Sequence, residues 1–470
     1  MSNLLQIAAK PSSLAASPRL NAFTGSGPTA MNASITELAQ MVSYQASEVP
    51  AMYGRVDFSV TPERFTTDPG EHTQLDPAFS ERRPVLLANK ERVAVARIFT
   101  MHGDPVADAY AALMPKYGFH RLAAMLGEAC DRGLSEIVDA PAELACFVLA
   151  MEAFPAWLDA KLIGEGARLE RNQYAHMVPF VIRGGFIGTF LNKYSALPMA
   201  LTGALSSKTA ARRVKETATF FTTSVLPGAL ERYRAGFKAA AMVRLMHSMV
   251  RFNVLSRPDQ WDPRIYGIPI PQVDQMPVAL MPAFALAKEA LRQGRATFTP
   301  AERARVELAR YRGFLLGLPA ELLPEAPHDI VDVLLTRHAT LRQRFDETCS
   351  ALVRATMTAD LAPDQSFRSR TYAWLERGFS KQFFVKNSMR GDRHAAAQVG
   401  VRLSVMDYIS AWTTAILITS RMSAYAIAAR IPGLRDAADR SLVRKLRKQL
   451  ARYGHAEFTT DAATYRPMHA

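Results

Sequence analysis

Apolar residues recur at intervals of three and four along most of this chain, and runs that alternate apolar and polar one by one are scarce. The segments DAYAALMPKYGFHRLAAMLGEACDRG (108–133) and PAERARVELARYRGFLLGL (300–318) carry the helical spacing plainly. Ahead of the second, Thr299 stands as an N-cap, with Pro300 at the first helical position and Glu302 in the first turn. No Asn-Gly or Asp-Gly turn separates apolar runs. The pattern predicts an all-α protein. Two prolines inside the apolar run PQVDQMPVALMPAF predict broken or kinked helices there.

The same pattern divides the chain. Residues 1–36 hold no Asp or Glu, are rich in Ser, Ala, Pro and Gly, and read as a flexible arm. Residues 37–95 are turn- and Pro-rich and read as an irregular wrap with short helices. A helical core is expected over 96–325, further helices packed on it over 326–430, and a basic amphipathic tail over 431–470. In that tail Arg435, Arg440, Arg444, Lys445, Arg447, Lys448 and Arg452 surround Leu442, Leu446 and Leu450, which suits a solvated surface helix or contact with anionic lipid.

Charge and cysteine content narrow the class. The 470 residues carry a formal net charge of +14, which favours acidic partners. No zinc-finger spacing, arginine-rich block or RNA-binding motif accompanies that charge, so nucleic acid is not an expected partner. Three scattered cysteines, Cys130, Cys146 and Cys349, argue against a disulfide framework and fit a reducing, cytoplasmic setting. The charge-free apolar run YISAWTTAILITS, between Asp407 and Arg421, falls short of the roughly 20 residues that a spanning helix needs. A soluble chain, touching membranes at most peripherally, is expected.

The candidate chemistry lies in AMVRLMHSMVRFNVL (241–255), a helical stretch around His247 whose only charges are Arg244 and Arg251. This helix is expected to begin near Ala229 and to end before Arg257-Pro258. On the face of His247 lie Gly236, Ala240, Val243, Val250 and Val254, small or slender residues against which a flat macrocycle could rest. The two arginines disfavour imidazolium and could pair with the carboxylates of a haem. Physics alone leaves two readings open: a metal ligand, or a core histidine satisfied by a hydrogen bond. No C-x-x-C-H occurs, so covalent haem attachment is excluded, and dinucleotide, P-loop, zinc-protease and nucleophile-elbow patterns are absent. A second helix, SKTAARRVKETATFFTTSVLPG, is expected from a Ser206/Ser207 cap to the Pro227-Gly228 stop, with Arg213, Glu216, Thr217, Phe220 and Ser224 on one face. Arg213 and Glu216 could form an ordinary surface pair or part of a polar pocket.

RRVKETATFF, then VRLMHSMVRF about thirty residues on, then WDPRIYGIPIPQVDQ, resemble the rubber-oxygenase or latex-clearing-protein family of b-type haem oxygenases. This superfamily includes the fungal enzymes that trim the farnesyl chain of mycophenolic acid precursors. MHGDPVADAY, PAWLDAKLIGEGARLERN and YRGFLLGLPAELLP agree in order and spacing, so the resemblance spans roughly residues 95 to 325. It implies a large single helical domain with a globin-like core and non-covalent haem b on His247. Arg213 and Thr217 would then lie near the other haem face. Glu216 departs from the pattern, because latex-clearing members carry a lysine there. The implied activity is oxidative cleavage, by dioxygen, of a carbon–carbon double bond in a hydrophobic, isoprenoid-like small molecule or polymer. A haem- or lipid-binding carrier or sensor without catalysis is the alternative.

Overall fold

The computed structural model describes residues 34–203 and 206–454. It is all-α, and β pairing among the described residues is limited to two isolated antiparallel bridges, Phe65 with Leu341 and Thr73 with Arg342. The labelled helices, numbered in chain order, begin with α1 (Ile35–Glu48), α2 (Pro105–Ala111), α3 (Met114–Arg132) and α4 (Ala160–His176). Next come α5 (Val178–Gly188), α6 (Ser207–Thr223), α7 (Ala235–Leu255), α8 (Gln272–Arg292), α9 (Pro300–Leu315) and α10 (Pro327–Thr340). The C-terminal part adds α11 (Phe367–Asn387), α12 (Val405–Ala428) and α13 (Arg435–Tyr453).

Helix α7 runs through the middle, packed on α2, α3, α6 and α9. The principal core gathers around it, with Leu122, Leu126, Phe147, Leu245, Met249, Leu308 and Leu315 removed from solvent. Each such side chain contributes about 1.5–3 kcal/mol relative to an exposed one. A second core lies between α8, α9 and α10. Helix α11 packs on α5 along one side and on α12 along the other. The interior also carries charge: Arg183 meets Glu376 at 2.7 Å and Arg312 meets Glu170 at 2.9 Å, all four nearly inaccessible.

Local chemistry accounts for most helix ends. Ser34 and Thr299 form reciprocal capping boxes with Glu37 and Glu302 at the starts of α1 and α9. Ser206 accepts from the Thr209 amide at the start of α6. Two sequence expectations need correction. Helix α7 begins at Ala235, not near Ala229, because Tyr233 adopts φ 64° and the Ala229 carbonyl turns to accept the amides of Gly236 and Phe237. The proline-bearing run 272–292 is not broken: it forms one continuous helix containing Pro277 and Pro282. Pro277 cannot donate to the Val273 carbonyl, and Arg337 of α10 fills the gap with its Nε at 2.6 Å. The arm expected over 1–36 lies outside the described residues except for 34–36, which cap and begin α1, and the tail is described only to residue 454.

Candidate functional site

His247 projects from the middle of α7 and is half-buried between core side chains. Its Nδ1 lies 3.0 Å from Oε1 of Gln275, on the first turn of α8. The direction of that hydrogen bond follows from a relay of amides behind it. Gln45 of α1 donates to the carbonyls of Val42 and Met101, at 2.8 and 3.0 Å, which leaves its Oε1 to accept from the Gly103 amide at 2.9 Å. The Gly103 carbonyl can only accept, so Gln272 must present its Nε2 to it, at 2.9 Å. Gln272 Oε1 therefore accepts from Gln275 Nε2 at 3.3 Å, and Gln275 is left with Oε1 facing the imidazole. His247 must donate from Nδ1. Its proton is fixed there, and Nε2 carries the lone pair.

Both polar groups of Gly103 serve this relay, and a Cβ there would collide with the Tyr53 hydroxyl, so no larger residue fits. Burial pushes the His247 pKa down to about 4, with the nearby Arg251 and Arg213 working in the same direction. The imidazole is neutral, and no hydrogen-bond partner among the described residues meets its Nε2.

The two arginines that flank the histidine have carboxylate partners of their own. Arg251, fully buried, donates from Nε to Asp108 at 2.8 Å and from its terminal nitrogens to the Ile270 carbonyl and the Ser248 hydroxyl. Arg244 pairs with Asp104, with Nη2 to Oδ1 at 2.8 Å, and its guanidinium lies over the Phe147 ring. Both acids belong to the GDPVAD stretch at the start of α2, where Asp104 caps the helix and the Tyr53 hydroxyl donates to Asp108. Burial works to raise the Asp104 carboxyl, but Arg244, Arg251 and the Ala107 amide together hold the group below its ordinary value. Gly317, at φ +85°, packs directly on this pair, and a Cβ there would meet both the Asp104 carboxylate and the Arg244 guanidinium. Arg244 and Arg251 therefore anchor α7 to α2. In this structure they face protein carboxylates rather than an open space for haem carboxylates.

Helix α6 packs beside α7 and brings the other expected residues into the neighbourhood. Arg213 reaches Thr202 Oγ1 at 3.2 Å and the Met199 sulfur at 3.6 Å, close enough to His247 to affect its titration. Glu216 pairs with Arg212 at 3.0 Å, not with Arg213, since the i,i+4 spacing carries it toward the outer edge of α6. Burial raises the Glu216 pKa, opposed by Arg212. Thr217 is half-buried on the same helix.

The donor set offers a single imidazole, which would suit a prosthetic group that carries its own metal. Among the described residues no group of three His, Cys, Asp or Glu is placed to hold a bare ion. One neutral imidazole with its tautomer locked, its Nε2 unpartnered and Val243 and Val250 as slender neighbours fits the part of a residue that would hold a haem. Gln275, Gln272, Gln45, Asp104 and Asp108 are absent from the expected site residues. Two arginines seven residues apart in an apolar helix, and two aspartates four apart in another, were the signal that buried pairing existed.

The family model for "ER-bound oxygenase mpaB/B'/Rubber oxygenase, catalytic domain" matches residues 172–407, about half the chain, including α6, α7 and α8. This chain belongs to that oxygenase family. Among solved structures, latex clearing protein LCP in the closed state is similar in fold, with a TM-score of 0.50 and 17% identity over 75% of this chain and 91% of that one. No curated protein sequence matches the chain. Membership carries the oxygenase character of the family. His247, Gln275 and the α6 residues all lie within the matched span, while Gln45, Gly103, Asp104 and Asp108 precede it.

Proposed function

We propose that this oxygenase binds haem b non-covalently through Nε2 of His247 and uses dioxygen to cleave a carbon–carbon double bond of a hydrophobic, isoprenoid-like substrate. The observation that carries the reading is the locked Nδ1–H tautomer of His247 in a family of oxygenases. Both atoms of one dioxygen would end in two carbonyl groups, a net reaction that balances without an external reductant. When bound, haem supplies the dioxygen chemistry.

The chain's own residues do the rest. Gln275 keeps the imidazole basic and aimed, as an outer hydrogen-bond partner does for a metal-bound histidine. Arg213 sets the electrostatics on the α6 side, and Thr217 offers a hydroxyl there. Glu216, whose burial favours its protonated form, can hold a proton at its carboxyl for exchange during turnover. Phe220 and Phe221, with rings 5.0 Å apart, give the same helix an apolar wall suited to an oily substrate.

The test is an absorption spectrum with a pyridine haemochrome assay on the wild type and His247→Ala, followed by aerobic incubation with polyisoprene and with a shorter terpenoid. A Soret band that falls or shifts in the variant, together with carbonyl products from the wild type, is the expected result. Wild type that takes up no haem during supplemented expression would overturn the reading. Haem without product from any unsaturated substrate would favour a carrier or sensor.

A further inference from the structure

Helix α12 is built inside out. Its buried seam is Ser410, Ala411, Thr414 and Ile418, and two of these are hydroxyl residues. Ser410 donates to the Trp374 carbonyl and Thr414 to the Leu375 carbonyl, both on α11. The opposite face, about 180° around the helix, carries Val405, Ile409, Trp412, Ile416 and, about three turns further on, Ile427. These are among the most exposed apolar side chains of the molecule, at 74, 48, 71, 65 and 59%. A water-facing helix normally shows the reverse arrangement. On the adjoining α11, Phe367 is also open to solvent, at 87%.

The charges around the stripe have one sign. Between residues 402 and 435 the only carboxylate is Asp407, which is paired with Lys381 at 2.9 Å. Arg402, Arg421, Arg430 and Arg435 are all exposed. Helix α13, which follows directly, has Leu442 and Leu446 buried against the core and turns cations outward. A second copy of the chain docked face to face would set these arginines against their own equivalents, whereas an anionic surface would neutralise them.

We propose that the α12 face is a docking surface for an anionic lipid bilayer, with Trp412 and Ile416 entering the headgroup boundary and the flanking arginines meeting lipid phosphates. The helix lies on the membrane rather than across it: no helix among the described residues is long and apolar enough to span one. The assignment does not depend on haem or on the cleavage reaction.

The experiment is co-sedimentation of the purified full chain with vesicles of phosphatidylcholine alone and of phosphatidylcholine with phosphatidylglycerol. The double variant Trp412→Glu/Ile416→Glu is compared, and circular dichroism and melting temperature are recorded for each protein. Because both side chains are exposed, the variant should fold and melt as the wild type does. Association with anionic vesicles that weakens in salt and falls at least tenfold in the variant supports the proposal. A blue shift of Trp412 emission on vesicle addition, read as the difference between wild type and Trp412→Phe, supports it independently. Failure of the wild type to bind, or binding unchanged in the double variant, overturns it. So does a lipid-free wild-type dimer in sedimentation velocity that becomes monomeric in the variant, because a second copy would then cover the face.

Discussion

Oε1 of Gln275 faces Nδ1 of His247 at 3.0 Å, and the polarity of this contact is dictated from Gln45 and Gly103, in a distant part of the chain. The imidazole therefore has one tautomer by construction. An amide fixed at one end by backbone groups cannot flip without breaking several buried hydrogen bonds, each break costing about 1–3 kcal/mol.

Replacing Gln275 with Leu removes the acceptor but keeps the volume. Haem affinity should fall by roughly 10–100-fold, as loss of an outer partner does at other histidine metal sites. Gln275→Glu should retain haem and lower its reduction potential, because a carboxylate makes the imidazole a stronger donor. Haem titration and redox potentiometry read the two effects. Equal affinity in wild type and Gln275→Leu would show that the relay does not act on the ligand.

Asp108→Ala should be among the most damaging single substitutions. It would leave Arg251, fully buried, without its counter-ion, a loss of about 3–5 kcal/mol. Asp108→Asn keeps an acceptor for Arg251 and should cost less. Thermal unfolding of the two variants gives the order, and a melting temperature in Asp108→Ala equal to that of wild type would sink the assignment of an anchoring role.

Glu216→Gln should slow turnover without changing haem content. Arg212→Ala should move the descending limb of the activity–pH profile, where Glu216 gives up its proton, to higher pH, since Arg212 opposes the burial-driven rise of the Glu216 pKa. If neither substitution affects the profile, the pair is structural.

Acid should weaken the fold before most carboxylates titrate. His102 and His176 are buried, and burial lowers both to about 4 from an ordinary value near 6.5. Between those values the unfolded chain binds protons that the folded chain refuses, so stability falls as pH drops from about 6.5 toward 4. Each such group contributes a slope approaching 1.4 kcal/mol per pH unit. Urea midpoints across this range measure it, and His102→Gln should flatten the curve.

Much of the fold was legible in the sequence because helix signals are local. The box at Thr299 and Glu302 and the cap at Ser206 were readable from neighbouring residues alone. The departures came from distant partners. Nothing near Pro277 announces that Arg337 will cover the carbonyl it strands. Nothing beside Arg244 and Arg251 shows that their counter-ions lie in GDPVAD, well over a hundred positions away. The apolar run YISAWTTAILITS is too short to span a membrane, and its sequence period does not say which side of it is buried. That depends on Gly378, whose missing side chain lets Ser410 of α12 settle against α11.

The recognisable catalytic segment begins at residue 172, downstream of Gln45, Gly103, Asp104 and Asp108. A fragment trimmed to that segment would keep His247 and every α6 residue around it, yet it would be electrically unfinished. Two guanidiniums would sit in an apolar interior with no counter-charge, and the imidazole would be free to exchange its proton between nitrogens. The unit that has to be inherited together, or moved together into another scaffold, reaches back to the first described helix.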